Sequence, residues 1–299
     1  KNGNVEFLEG SVFVPKNDKS NKFVNDLAKE LHLKISSVNL TYNTKLKELR
    51  KIRVGLYQPY TASMDEGWTR LLLENYAFDF KSIVNKDFKN KKMKDSFDVI
   101  IIPDMNGDQI KTAKPSGENA RFYRTKPPEF EGGIEKEGVE NLKNFVEKDG
   151  GYLITLGQAC NFAIEDLGLK VTNVLKSVKS DDFYCPGSLV RINVDNTNPI
   201  GYGMDFESIG YLSDNIAFAT TTPFGQFDRS VVVRYPTKDL LKSGFLLGED
   251  FLFKRSAVVD VKQKNGHVIL FGFKVQNRHQ TYGTFKLLFN AIHAAGIQI

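Results

Sequence analysis

Cysteine and histidine are scarce, at two and four among 299 residues. Cys160 and Cys185 can form one bridge or stay free, so a disulfide framework cannot be the main source of stability. His32, His267, His279 and His293 lie far apart, and none opens an H-x-x-E or H-x-x-x-H cluster, which argues against zinc in this chain. Long apolar runs are missing as well. The longest, Val99 to Pro103 and Val268 to Phe273, are strand-sized against the roughly 18 to 20 residues of a membrane span. Nor is there an excess of charge: 41 Lys+Arg against 36 Asp+Glu gives +5, in mixed-sign order, so nucleic-acid binding is not indicated. The densest basic stretch, Lys45 to Arg53, is interrupted by Glu48 and precedes a strand, Lys86 to Lys94 lacks the stacking pattern of single-strand binders, and both read as solvated surface.

What is present is material for a core, 41% hydrophobic and 12% aromatic; a chain near this length buries roughly 75% of the surface its unfolded form exposes. The chain opens on Lys1 without a charged-then-apolar leader, and reads as a processed or excised piece of a longer protein. Residues 1–50 form a lead-in: short apolar pieces at Val5 to Leu8 and Ser11 to Pro15, then a helix with Phe23, Leu27 and Leu31 on one face, then a lysine-rich connector from Asn39. The Asn39-Leu40-Thr41 sequon matters only where the source glycosylates.

From Ile52 the pattern alternates between strands and helices. Ile52 to Tyr57 is a buried-strand run, and Ser63 with Glu66 three residues on has the spacing of a capping box. That helix would turn Trp68, Leu71, Leu72 and Tyr76 inward. Asp79 to Val84 follows as a short extended piece and Phe97 to Pro103 as a second, fully apolar strand, then a long polar loop from Asp104 to Gly133, a helix over Lys136 to Lys148, a strand over Tyr152 to Leu156 and a helix over Ala159 to Leu167. Continuous apolar strands between helices imply a parallel sheet covered on both faces. A β-rich excursion occupies about 181–261, and Lys264-Asn265-Gly266 is the strongest hairpin signal. It leads into His267 to Phe273 and a last helix, Gly283 to Ala294. The expected class is a three-layer α/β domain over 51–299 with a mostly parallel sheet and a β-rich insertion.

In such a sheet the functional ground lies beyond the carboxyl ends of the strands. Those ends are the loop Gln58 to Gly67, the turn at Asp104, the turn Gly157 to Asn161 and the segment Gln276 to Tyr282. A thiol at a strand-to-helix turn invites a nucleophile reading. However, Gln158 takes the elbow place after Gly157, Phe162 crowds the far side, and Cys160 falls a turn late. A buried thiol packing helix on sheet is the favoured reading, with a Cys160/His279 dyad as the alternative. Asp65, Glu66 and Asp104 could do acid/base work, yet capping by Glu66 and the helix dipole at Asp65 account for those two without it. Gly132-Gly133 is not a phosphate loop, because no Lys-Ser/Thr follows.

Taken in order, the strings Gly55 to Arg70 (GLYQPYTASMDEGWTR), Asp98 to Asp104 (DVIIIPD), Gly132 to Gly138 (GGIEKEG), Phe183 to Gly187 (FYCPG), Leu246 to Glu249 (LLGE) and Ile269 to Asn290 resemble a known region. It is the C-terminal, class I glutamine amidotransferase-like region of bacterial zinc carboxypeptidase-like proteins of the carboxypeptidase A class. The resemblance implies a flavodoxin-like fold and a non-catalytic accessory domain that binds or scaffolds. Zinc is then expected only in the absent N-terminal peptidase domain, with no cofactor in this chain. That peptidase domain is the expected partner, beside a small-molecule or peptide ligand, and export to the periplasm or outside the cell is implied. No residue here matches the peptidase zinc signature, so no catalytic residue carries over. The cleft would be lined by Tyr60, Asp65, Trp68, Asp104, Gln158 and His279. The alternative is a thiol-dependent, amidotransferase-like hydrolase using Cys160 and His279.

Overall fold

The computed structural model describes residues 7–39, 46–114, 125–221 and 227–297, and the chain divides into two compact units, Lys1–Glu48 and Leu49–Ile299. In the first unit, helix α1 (Asp18–Glu30) starts at Asn17, whose side chain accepts from Ser20 N at 2.9 Å while Ser20 Oγ accepts from Asn17 N. Two orphan donors of the first turn are thus satisfied reciprocally. No residue of α1 is buried. The expected strand at Val5 lies partly outside the described residues, as do Leu40 and Thr41 of the sequon.

The second unit is built on one sheet. Its strands are β1 (Val54–Tyr57), β2 (Phe80–Ile83), β3 (Val99–Ile102), β4 (Tyr152–Leu156), β5 (Val171–Asn173), β6 (Ser188–Val194), β7 (Glu207–Leu212), β8 (Phe218–Thr220), β9 (Phe227–Arg234), β10 (Leu241–Ser243), β11 (Ser256–Gln263) and β12 (Gly266–Phe271). Along the main path the order is β10-β6-β9-β11-β12-β4-β3-β1-β2. The half running β2-β1-β3-β4-β12 is parallel throughout. This is the flavodoxin-like order, with β12 as the fifth strand. The remaining strands pair antiparallel; β6 to β11 fall in the β-rich excursion, and β5, which precedes it, pairs with β8.

Runs such as Val99-Ile100-Ile101-Ile102 form strands because β-branched side chains suit a pleated surface, and they lack polar alternation because both faces are covered. Val99 and Ile101 join one core, with Val54, Leu56, Ile154, Ile269, and Leu72 and Leu288 from helices α2 (Met64–Asn75) and α6 (Tyr282–Ile297). Ile100 and Ile102 join the other, with Leu153, Leu270, and Ile110, Leu142 and Phe162 from α3 (Gly107–Thr112), α4 (Glu135–Glu147) and α5 (Ala159–Asp166). Three layers follow directly from that alternation.

Several local expectations need correction. Ser63 caps α2, accepting from Glu66 N at 3.2 Å, but the Glu66 carboxylate does not close the box; it pairs with Arg70 one turn on. The buried stripe of α2 is Thr69, Leu72 and Leu73, while Trp68 is half-buried and Tyr76 is exposed. Thr69 can sit inside because its hydroxyl accepts from Gln276 Nε2 at 2.8 Å. The polar loop after β3 contains α3, and residues 115–124 of it lie outside the described residues. The Lys86 to Lys94 stretch is not all solvated surface, since Phe88 and Met93 are buried.

Candidate functional site

The carboxyl ends of β1, β3, β4 and β12 meet at one edge of the sheet, and each sends a residue into a common polar cluster. Its centre is Lys274, three residues past β12. Backbone bonding fixes its place: Lys274 N donates to Tyr211 O at 3.0 Å, and its neighbours Phe273 and Val275 are buried. The ammonium is 3.0 Å from Asp65 Oδ1 in the first turn of α2, pairs closely with Asp104 just past β3, and lies 3.7 Å from Asp214 Oδ2 in the turn between β7 and β8. Asp104 also accepts from Gln158 N at 2.9 Å, and Gly157 N donates to Phe271 O at 2.9 Å. Ion pairs together with one backbone hydrogen bond thereby join the exits of four parallel strands.

The electrostatics are lopsided. Burial works against the Lys274 ammonium, but Asp104, Asp214 and Asp65 outweigh it and hold its pKa above the usual lysine range. Burial raises Asp65, with Lys274 pulling the other way. Asp214 is pushed up to about 7, by burial first and by the charge of Asp104 next. Among the described residues no group of three or more His, Cys, Asp or Glu could hold a metal ion. The space between the three aspartates is taken by Lys274.

The strand-to-helix turn after β4 has the shape in which a nucleophile would stand, and the residue at its left-handed position is Gly157, φ +54°. This corrects the placement of the elbow at Gln158 by one residue. A Cβ built on Gly157 would collide with the Asp104 carboxylate. Glycine is therefore required both by backbone conformation and by what faces it, and an acceptor fills the place of an attacking side chain. Cys160 lies in the first turn of α5, fully buried, with Sγ 3.4 Å from the carbonyls of Thr155 and Phe271. Burial pushes its thiol up to about 12, the reverse of what a thiolate nucleophile needs. Cys185 is also buried and free, its Sγ donating to Leu212 O at 3.2 Å.

The sequence-derived cleft residues separate into two groups. Asp65, Asp104 and Gln158 come together through Lys274 and the Gln158 amide. Tyr60 instead packs its half-exposed ring on Phe130, centroids 5.4 Å apart, and Trp68 sits half-buried on α2. His279 belongs to the far end of α2, where Nε2 meets Asn75 Nδ2 at 3.2 Å and the ring packs near Tyr76, Tyr282 and Phe285. The structure thus does not bring Cys160 and His279 together: among the described residues their polar contacts share no partner. Two members of the cluster escaped the sequence reading. Lys274 lies two residues before the segment assigned to the exit of the last strand. Asp214 is carried by Leu212-Ser213-Asp214-Asn215, a turn in the antiparallel excursion to which the rule about parallel strand ends does not apply.

This geometry defines a class, a three-layer α/β domain with a flavodoxin-like parallel half and a polar cluster at its strand exits. No known family model matches the sequence, and no curated protein matches it significantly. Solved structures similar in overall fold include a GMP synthase-like protein from Thermoplasma acidophilum, with 11% identity, 83% of this chain and 96% of that one covered, and a TM-score of 0.48. A glutamine amidotransferase from Thermotoga maritima matches at 8% identity over 84% of this chain and 100% of its own, with a TM-score of 0.47. A ThuA-like protein from Bacteroides uniformis matches at 14% identity over 84% and 94%, with a TM-score of 0.42. At these identities and scores the likeness carries no activity to this chain.

Proposed function

We propose that this chain is a non-catalytic binding and scaffolding domain, accessory to a zinc carboxypeptidase-like protein, and that it works outside the cytoplasm of a bacterium. The observation that supports this best is the turn after β4, where Gly157 stands at the left-handed position and Asp104 fills the space a nucleophile would need. The motif resemblance supplies the parent protein, its peptidase domain as partner and the exported location. The strand exits around Asp65, Asp104 and Gln158 are the ground on which a small-molecule or peptide ligand would be held.

The direct test mixes the purified chain with the parent's peptidase domain, expressed separately, and follows association by analytical ultracentrifugation. A complex is the expected result, and two independent species at tens of micromolar would overturn the accessory reading. The rival, a thiol-dependent amidohydrolase, is tested on native protein with a thiol-reactive probe and a glutamine-hydrolysis assay. Slow labelling of Cys160 and no ammonia release are expected. Rapid stoichiometric labelling with turnover abolished in C160A would make this chain an enzyme.

A further inference from the structure

Asp214 differs from the other members of the cluster in what faces it. Its Oδ2 is sealed from solvent and receives no hydrogen bond. Lys274 Nζ, at 3.7 Å, is too far to donate one. Asp65 and Asp104 already take the same ammonium, so Asp214 is the third carboxyl gathered on one cation. An ionised carboxylate can only accept, so an oxygen sealed from water and without a donor favours the protonated form. The charge count agrees. With all three aspartates ionised, three negative charges would surround one ammonium, and Asp104 and Asp214 are only 7% and 15% exposed.

We propose that Asp214 carries a proton in the folded chain, and that this proton is a pH-operated clasp between the two halves of the sheet. Asp104 hangs from the exit of β3 in the parallel half, and Asp214 from the turn after β7 in the antiparallel half. With the proton in place Asp214 stays in the cluster as a neutral group; without it three carboxylates repel one another around one ammonium. The groups that face Asp214 are Asp104, Lys274 and Asp65, with Cys160, Cys185 and Tyr235 within reach of its charge. Of these only Lys274 is cationic, and it is already shared with two other carboxylates. The upward displacement of Asp214 to about 7 sets the window. A carboxyl whose folded value is raised stabilises most fully below its unfolded value and loses that contribution as pH rises through the folded one. The clasp is therefore closed in mildly acidic solution and opens above neutrality, whatever partner the chain serves.

The test compares wild type with D214N in urea unfolding at pH 5, 6, 7 and 8, and follows the Asp214 side-chain carbonyl by carbon-13 NMR. The unfolding constant of wild type, relative to D214N, should rise about tenfold per pH unit between pH 5 and 6 and level off above 7. The Asp214 resonance should titrate near 7 in wild type and fall toward the ordinary carboxylate range in D104N. Hydrogen exchange at residues 213–217, corrected for its intrinsic pH dependence, should quicken above pH 7 in wild type but not in D214N. Parallel pH profiles for wild type and D214N, or an Asp214 resonance titrating below pH 5, would overturn the proposal. Should D214N fail to fold, the wild-type titration decides alone.

Discussion

The two ends of the parallel sheet carry charge clusters of opposite design. At the amino end a single carboxylate, Asp98, is almost wholly buried among cations. Its Oδ2 accepts from Arg53 N and Nε at 3.1 and 3.0 Å and lies 3.1 Å from Arg50, while Lys94 approaches Oδ1 at 3.5 Å. Burial opposes its ionisation, but Arg53 and Arg50 prevail and hold it well below the usual carboxylate range. At the carboxyl end the signs are inverted, with one ammonium among three carboxylates and one oxygen of Asp214 left without a donor. The first cluster is fully satisfied and its cations keep partial contact with water. The second is over-supplied with one sign of charge, and it lies where ligands of such sheets bind.

Breaking the amino-end cluster should have the largest effect. D98A leaves Arg53 and its neighbours without their shared acceptor and should cost about 3 kcal/mol in urea unfolding at pH 7. Because the folded pKa of Asp98 is depressed, its contribution is present above the unfolded carboxylate range and lost as pH falls below it. Wild type should therefore lose stability below about pH 4 more steeply than D98A. At the other end, K274M removes the ammonium but leaves the carboxylates. It should cost about 2 kcal/mol at pH 8 and clearly less at pH 5, where protons replace the missing charge. An equal cost at both values would erase the distinction drawn between the two ends.

A smaller change probes the turn beside the carboxyl-end cluster. G157A forces a side chain into the left-handed region and against Asp104, and should cost about 1 to 2 kcal/mol by thermal unfolding. The smallest effect expected is that of S63A, which removes the cap of α2 at about 1 kcal/mol. It should leave the pH profile of the carboxyl-end cluster unchanged.

The parallel half was legible because its central strands are short, buried and mostly apolar, with helices between them: Tyr152 to Leu156 needed no tertiary information. The hairpin at Lys264-Asn265 was legible from turn chemistry, with Gln263 facing Gly266 across it. β7, by contrast, reads Glu207-Ser-Ile-Gly-Tyr-Leu, where Gly210 interrupts the alternation and an edge position permits polar residues. Its pairing with β6 is a tertiary fact. The candidate site divides in the same way. Asp65 and Asp104 follow from strand ends and helix starts, which are local. Lys274 and Asp214 are drawn in by charge across more than one element, and no spacing rule links them. The role of Lys94, Arg50 and Arg53 was hidden for the same reason, since a basic run looks solvated until a buried acid faces it.

The position of β12 has a consequence for how the chain reaches this fold. It fills the gap between β4 and β11 and pairs in register along its length with Tyr152 to Leu156. Yet about 110 residues separate the end of β4 from its start. At synthesis rates of roughly 5 to 20 residues per second, the hydrogen-bonding edge of β4 waits about 5 to 20 s for its partner. During that interval an apolar strand edge, a surface prone to pairing with other chains, is open on the ribosome. Slow, aggregation-limited refolding that improves when β12 is present early would be the kinetic signature of inserting the fifth parallel strand last.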